Sequence, residues 1–81
     1  MNAADFLKSK GITQQDIADQ LGCTRANVNM WFCGDSSPTV ASIERITEAM
    51  NALGANTCYE EVFKALYETR KEREGREKKD D

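Results

Sequence analysis

Hydrophobic residues recur along this chain at helical spacing, in five stretches that each open on a residue typical of a helix start. Asn2 and Thr13 are both followed three residues later by an aspartate, which is the arrangement of a capping pair. Gly11 and Gly22 stand at the ends of the first two stretches, where a left-handed residue commonly terminates a helix. The pattern therefore predicts two short helices before Cys23.

Three further helices are predicted after this point. Thr24 opens the third stretch, Thr39 or Ser37 opens the fourth, and Thr57 with Glu60 forms a capping pair for the fifth. The apolar residues expected to form one inward stripe on each of the third and fourth helices are Val28, Trp31, Phe32, Val40, Ile43, Ile46, Met50 and Leu53. The fifth stretch carries four apolar residues on one side: Val62, Phe63, Leu66 and Tyr67. No segment alternates with the period of a strand, so the fold class is all-α, a compact bundle of about five short helices.

Composition divides the 81 residues into three segments. Residues 1–54 hold four of the predicted helices, and residues 55–70 hold the fifth. Residues 71–81 contain no apolar side chain, and their charges are mixed in sign. We expect this last segment to fray beyond Gly75, because a glycine weakens a helix and chain ends are poorly held.

Charge and cysteine content narrow the functional classes. The chain has 11 Lys and Arg, 14 Asp and Glu, no histidine and three cysteines. A zinc site needs about four Cys or His ligands, so we expect no metal, and the cysteines are expected to be small buried residues in a reducing cytoplasm. No run approaches the roughly 18 apolar residues that cross a bilayer, and the amino end does not resemble a secretory signal. No catalytic arrangement or cofactor motif is present, so an enzyme has almost no support.

The segment from Gln14 to Trp31 is the most informative part of the chain. It predicts two short helices joined by a tight turn at Gly22, with small Ala18 where the helices cross, which is typical of a helix-turn-helix. Residues 1 to about 54 resemble the phage Cro/repressor-type (XRE-like) helix-turn-helix domains. The resemblance rests on 11–18 (GITQQDIA), 21–24 (LGCT), 28–34 (VNMWFCG) and 38–40 (PTV) leading to Ile43 and Ile46. It implies a sequence-specific regulator of transcription, a repressor, that acts in the cytoplasm of a bacterium or is encoded by a phage.

The geometry of the third helix indicates which side would face a DNA duplex. At about 100° per residue, Val28, Trp31 and Phe32 point inward and the opposite side is free. Residues near the amino end of a recognition helix meet base edges first in the major groove. The base contacts that we predict are Arg25 to guanine, Asn29 to adenine, and Ala26 and Met30 to apolar groups such as a thymine methyl.

Contacts to DNA phosphates are predicted at the starts of the second and third helices and in the following loop. The resemblance implies that Gln14 anchors a phosphate. We predict further phosphate contacts from Thr24, Asn27, Ser36 and Ser37. Gln14 and Thr24 could equally be helix starters only. Residues 1–54 have four basic and six acidic side chains, so non-specific affinity should be poor and should fail early as salt rises.

The fifth helix offers two alternatives. The resemblance implies that residues after the fourth helix build a homodimer, here through Val62, Phe63, Leu66 and Tyr67, which would set two recognition helices about 34 Å apart on double-stranded DNA. The other alternative is that this helix packs against the first helix of its own chain. At the level of function, the rival reading is a protein-interaction module such as an antirepressor or the DNA-binding antitoxin of a toxin–antitoxin pair. A small-molecule effector cannot be read from the sequence.

Overall fold

The protein is described here by a computed structural model that covers residues 2–34 and 37–79, with side chains to residue 75. Five α-helices follow one another along the chain, and no strand occurs among these residues. They are α1 (Ala3–Lys10), α2 (Gln14–Leu21), α3 (Arg25–Phe32), α4 (Val40–Ala52) and α5 (Tyr59–Lys79). The predicted all-α bundle of five helices is confirmed.

Side-chain caps begin the first four helices, because the first N–H groups of a helix have no partner within it. The side chains of Asn2, Thr13, Thr24 and Thr39 each accept a hydrogen bond from the backbone N–H three residues later. At Thr13 the cap is a complete capping box, since the Asp16 carboxylate accepts from the Thr13 N–H at 3.0 Å. The local pattern of the sequence therefore predicted these helix starts correctly, and Thr39 rather than Ser37 opens α4.

The core contains apolar residues from all five helices. Ile17, Val28, Ile46, Met50 and Val62 are the largest side chains that are fully buried. The unit of α2 and α3 packs on α4, while α5 packs on α1, α4 and the end of α3. No side chain among the described residues is both charged or polar and buried, so packing of apolar faces holds the fold together.

Three expectations from the sequence were wrong. Val40 is 62% exposed, because it is the first residue of α4 and extends beyond the surface that α4 buries. Cys58 is exposed, whereas Cys23 and Cys33 are half-buried, and all three are free thiols. At the start of α5 the Thr57 hydroxyl bonds the Glu61 carboxylate at 2.9 Å, so its partner is not Glu60.

α5 is longer than expected and two of its apolar residues are inside the monomer. Its backbone stays helical to Lys79, beyond the predicted fraying at Gly75, and Arg70 and Glu74 pair at the i, i+4 spacing that supports an exposed helix. Val62 and Leu66 are buried against α1 and α4, which corrects their assignment to a dimer surface. The alternative that the fifth helix packs against the first helix of its own chain is therefore correct for this face of α5.

The second half of α5 contacts two other parts of the chain, the start of α1 and the residue Gly34 that follows α3. The Thr69 hydroxyl accepts the N–H of fully buried Ala3 at 2.7 Å, and Glu72 accepts from the Asn2 side chain at 3.2 Å. At the other end, Gly34 is buried against α5 with φ +85°. Glu72 and Arg73 thus lie against the folded unit, and Thr69 and Glu72 contact the amino end of α1.

Within the described ranges, none of the five helices has both the length and the apolar character required to cross a lipid bilayer.

Candidate nucleic-acid interface

α2 and α3 form a compact two-helix unit with a turn that the sequence dictates. Gly22 adopts φ +69°, a left-handed conformation that glycine reaches without steric cost, and the chain reverses there. The Cys23 N–H then donates to the Ala18 carbonyl at 3.0 Å, which closes the end of α2. Ala18 is fully buried, so the two helices approach closely at this small side chain.

The orientation of α3 follows from its inward face. Val28 and Phe32 are buried, and Trp31 is half-buried and packed against the core. The opposite side of α3 faces outward and is exposed at Arg25, Ala26, Asn27, Asn29 and Met30. α3 therefore presents a convex strip of one cation, two amides and two apolar side chains, without a carboxylate among them. An α-helix with its side chains is about 10–12 Å across, which matches a major groove of about 12 Å.

Comparison with known proteins agrees with this geometry. A family model described as Helix-turn-helix (HTH_3) matches residues 4–53, which span α1 to α4. The chain belongs to the helix-turn-helix family. No match was found among curated proteins or among solved structures. The resemblance to Cro/repressor-type helix-turn-helix domains is thereby confirmed at the level of the family.

Membership of the helix-turn-helix family makes this chain a DNA-binding domain of a regulator, and the family is not one of enzymes. Within the described residues, no group of His, Cys, Asp and Glu side chains is arranged to hold a metal ion. The candidate DNA-binding surface is therefore the outer strip of α3 together with the side chains beside it.

The predicted base-contacting residues all lie on the accessible side of this helix-turn-helix. Arg25 is the first residue of α3, and Asn29 follows one turn later on the same flank. The Asn29 amide nitrogen lies 4.0 Å from the Cys33 sulfur, a weak contact with the residue one turn later. Ala26 and Met30 occupy the middle of the strip, and 46% of Met30 is exposed.

The predicted phosphate-contacting residues are more dispersed. Thr24 uses its hydroxyl oxygen to accept the Asn27 N–H at 3.3 Å, so it is a helix cap whatever else it does. Gln14 starts α2, but its amide oxygen is buried and has no hydrogen-bond partner among the described residues. Ser37 is exposed in the loop before α4, and Ser36 lies outside the described residues.

The fold brings three arginines to α3 that the sequence reading did not place there. Arg45 of α4 lies along a groove of about 340 Å³ beside Asn27, Met30 and Trp31, and its guanidinium donates to the Leu21 carbonyl at 3.4 Å. Arg70 and Arg73 of α5 lie at the other end of α3. The approach of α5 to the end of α3 joins residues far apart in the sequence, so the periodicity of neither helix predicts it. The local signal is Gly34, because a glycine allows two backbones to come close.

Proposed function

We propose that this protein is a sequence-specific transcriptional repressor that reads the major groove with α3 and acts as a homodimer. The observation that carries the proposal is the orientation of α3. Its three large apolar residues point into the core, and its arginine, asparagines and methionine point out. A helix exposed in this way can enter the groove without disturbing the packing that holds it.

Each exposed residue of α3 has a role that fits its chemistry. Arg25 offers a planar fork that can donate two hydrogen bonds to guanine O6 and N7, and Asn29 can pair with an adenine edge. Ala26 and Met30 provide apolar contact with thymine methyl groups. Contacts to phosphates come from Gln14 and the other polar residues predicted around the helix starts, namely Thr24, Asn27 and Ser37, with Ser36 as a further candidate.

The homodimer is proposed to form through the exposed aromatic residues of α5. Phe63 is 45% exposed and Tyr67 is 54% exposed, and their rings lie in a stacked line with Tyr59 at centroid distances of 6.0 and 6.3 Å. Large aromatic side chains that remain exposed in a row are typical of an interaction surface. A symmetric dimer would pair two recognition helices with two half-sites on one face of the duplex.

The test is selection of bound sequences from a random pool of double-stranded DNA. The wild-type protein should enrich a two-fold symmetric site, and Arg25→Ala should lose the preference for one guanine in each half-site, at a cost of about 1–3 kcal/mol of discrimination. Lys64→Ala is the matched control, because it removes one charge from an exposed position of α5 and should leave the selected sequence unchanged. The same enriched sequence from Arg25→Ala would overturn the proposed readout.

The second candidate is a protein-interaction module, and the exposed aromatic row on α5 is the observation that favours it. An antirepressor would enrich no sequence from the random pool. A DNA-binding antitoxin would enrich one, and in addition would form a stable complex with a different protein when purified with its genomic neighbour.

A further inference from the structure

The chain just after α3 is packed so closely against the second half of α5 that a side chain at Gly34 would require a small shift of its neighbours. A Cβ atom added to Gly34 would lie 3.3 Å from the Arg70 Cα, 3.3 Å from the Arg73 Cδ and 3.4 Å from the Thr69 carbonyl oxygen. Gly34 is the second residue after α3 ends at Phe32. The backbones of α3 and α5 therefore meet at this point, and α5 carries two arginines to it.

The two arginines of α5 lie in different surroundings near the end of α3. Arg73 lines a groove with Phe32 and Cys33, at the last turn of α3. Arg70 lines a separate groove with Pro38 of the loop that leads to α4 and with Phe63 and Tyr67 of α5, and no residue of α3 lines this groove. The Arg73 side chain therefore lies at the end of α3 and the Arg70 side chain beside the loop that follows, while Arg25 stands at the start of α3.

A helix in the major groove has a phosphate ridge on each side. Because an α-helix of about 10–12 Å nearly fills a groove of about 12 Å, protein surface that projects beside the helix meets the sugar–phosphate backbone and not the bases. Side chains at that position contribute affinity without sequence preference. Arginine suits the position well, since its planar fork matches two phosphate oxygens.

We propose that Arg70 and Arg73 of α5 contact phosphates of the DNA backbone at the end of α3. This inference rests on the proposed mode of reading with α3, and it adds a second element, outside the residues that match the family model, to the DNA-binding surface. It gives α5 two functions in one helix. Its first half carries the exposed aromatic row, and its second half supplies positive charge to a core whose own acidic side chains outnumber its basic ones.

Two carboxylates lie near these arginines, and each makes a contact in the folded protein. Glu74 pairs with the Nε of Arg70 at 3.4 Å, and Glu72 accepts a hydrogen bond from Asn2. A guanidinium group has five N–H donors, so Arg70 can keep its contact with Glu74 and still donate from its terminal nitrogens. The purely structural alternative is that Arg73 serves only to stabilise the carboxyl end of α3 through its charge.

The experiment measures duplex binding by Arg70→Gln and Arg73→Gln across a series of salt concentrations, on the selected site and on an unrelated duplex. The logarithm of the association constant falls as log salt rises, and each lost phosphate contact should make this slope shallower by about 0.9. The same loss should weaken binding about eightfold at about 0.1 M salt. The loss should be equal for both duplexes, because phosphates carry no sequence information.

Lys64→Gln is the matched control for this experiment. Lys64 precedes Arg73 by nine residues, which is two and a half helical turns, so it lies on the opposite side of α5. It removes the same charge from the same helix and should leave the slope unchanged. Thermal unfolding of all variants identifies any that are destabilised.

The results separate the alternatives. Equal slopes for the arginine variants and Lys64→Gln would overturn the inference, and so would a loss of stability in Arg73→Gln with an unchanged slope. Failure of the proposed function has a different signature, since the wild-type protein would then enrich no sequence although its salt slope could still be measured on any duplex. A wild-type protein that binds no duplex at low salt would overturn both.

Discussion

The contact between α3 and α5 can be tested by one substitution, Gly34→Ala. The added methyl group should lower the free energy of unfolding for two separate reasons. The first is conformational, because Gly34 has φ +85° and a residue with a side chain in the left-handed region costs about 1–2 kcal/mol. The second is steric, because the new Cβ would lie 3.3 Å from the Arg70 Cα and 3.4 Å from the Thr69 carbonyl oxygen.

Gly22→Ala isolates the first cost. Gly22 also has a left-handed backbone, with φ +69°, but an added Cβ there would meet no atom within 4 Å. We expect Gly22→Ala to lower the free energy of unfolding by about 1–2 kcal/mol. For Gly34→Ala, we expect overpacking to add about 1–3 kcal/mol to the conformational cost, because the backbone of α5 would have to shift by a few tenths of an ångström to admit the new Cβ.

Thermal unfolding followed by circular dichroism measures both changes. In a domain of this size, 1 kcal/mol corresponds to about 4–8 °C in Tm, so Gly34→Ala should melt at least about 4 °C below Gly22→Ala. Equal melting temperatures for the two variants would refute the reasoning, because they would mean that α5 does not press on the end of α3. The placement of Arg70 and Arg73 beside the recognition helix would then lose its basis.

Two further predictions concern α5. Replacing Phe63 and Tyr67 together by serine should shift the protein toward monomer in sedimentation equilibrium with little change in helicity, because both side chains are largely exposed; a monomeric wild-type protein would contradict this. Thr69→Val should lower the free energy of unfolding by about 1–3 kcal/mol in urea titration, since the buried Ala3 N–H loses its acceptor, whereas Thr69→Ser should retain most of the stability; equal losses would contradict the role of the hydroxyl.

The sequence predicted those parts of the fold that depend on neighbouring residues. Caps at Asn2, Thr13, Thr24 and Thr39 are local contacts over three residues, so the pattern alone locates the helix starts. The inward face of α3 follows from its own periodicity for the same reason. Contact of the exposed strip with bases is still a prediction, because the position of a DNA duplex on the protein does not follow from the pattern of neighbouring residues.

The expectations that failed are those that depend on a distant partner. Val62 and Leu66 have the same helical periodicity as Phe63 and Tyr67, and only the positions of α1 and α4 decide which pair is covered. Similarly, the 71–81 segment has no apolar residue from which to predict packing. One contact that α5 makes there is polar and distant in sequence, from Glu72 to Asn2 seventy positions earlier.

The acidic balance of the chain is a poor guide to its DNA-binding surface, because the position of each charge matters more than the sum. Several carboxylates are engaged in local structure: Asp16 completes the capping box of α2, Asp19 accepts from Gln15, and Glu61 bonds Thr57. The arginines, in contrast, are gathered around α3 from three different helices. Phosphate attraction is screened within about 10 Å at 0.1 M salt, so a duplex held at α3 as proposed would respond mainly to the charges near that helix. The salt slope of duplex binding therefore measures the local charge of the proposed surface and not the charge sum of the chain.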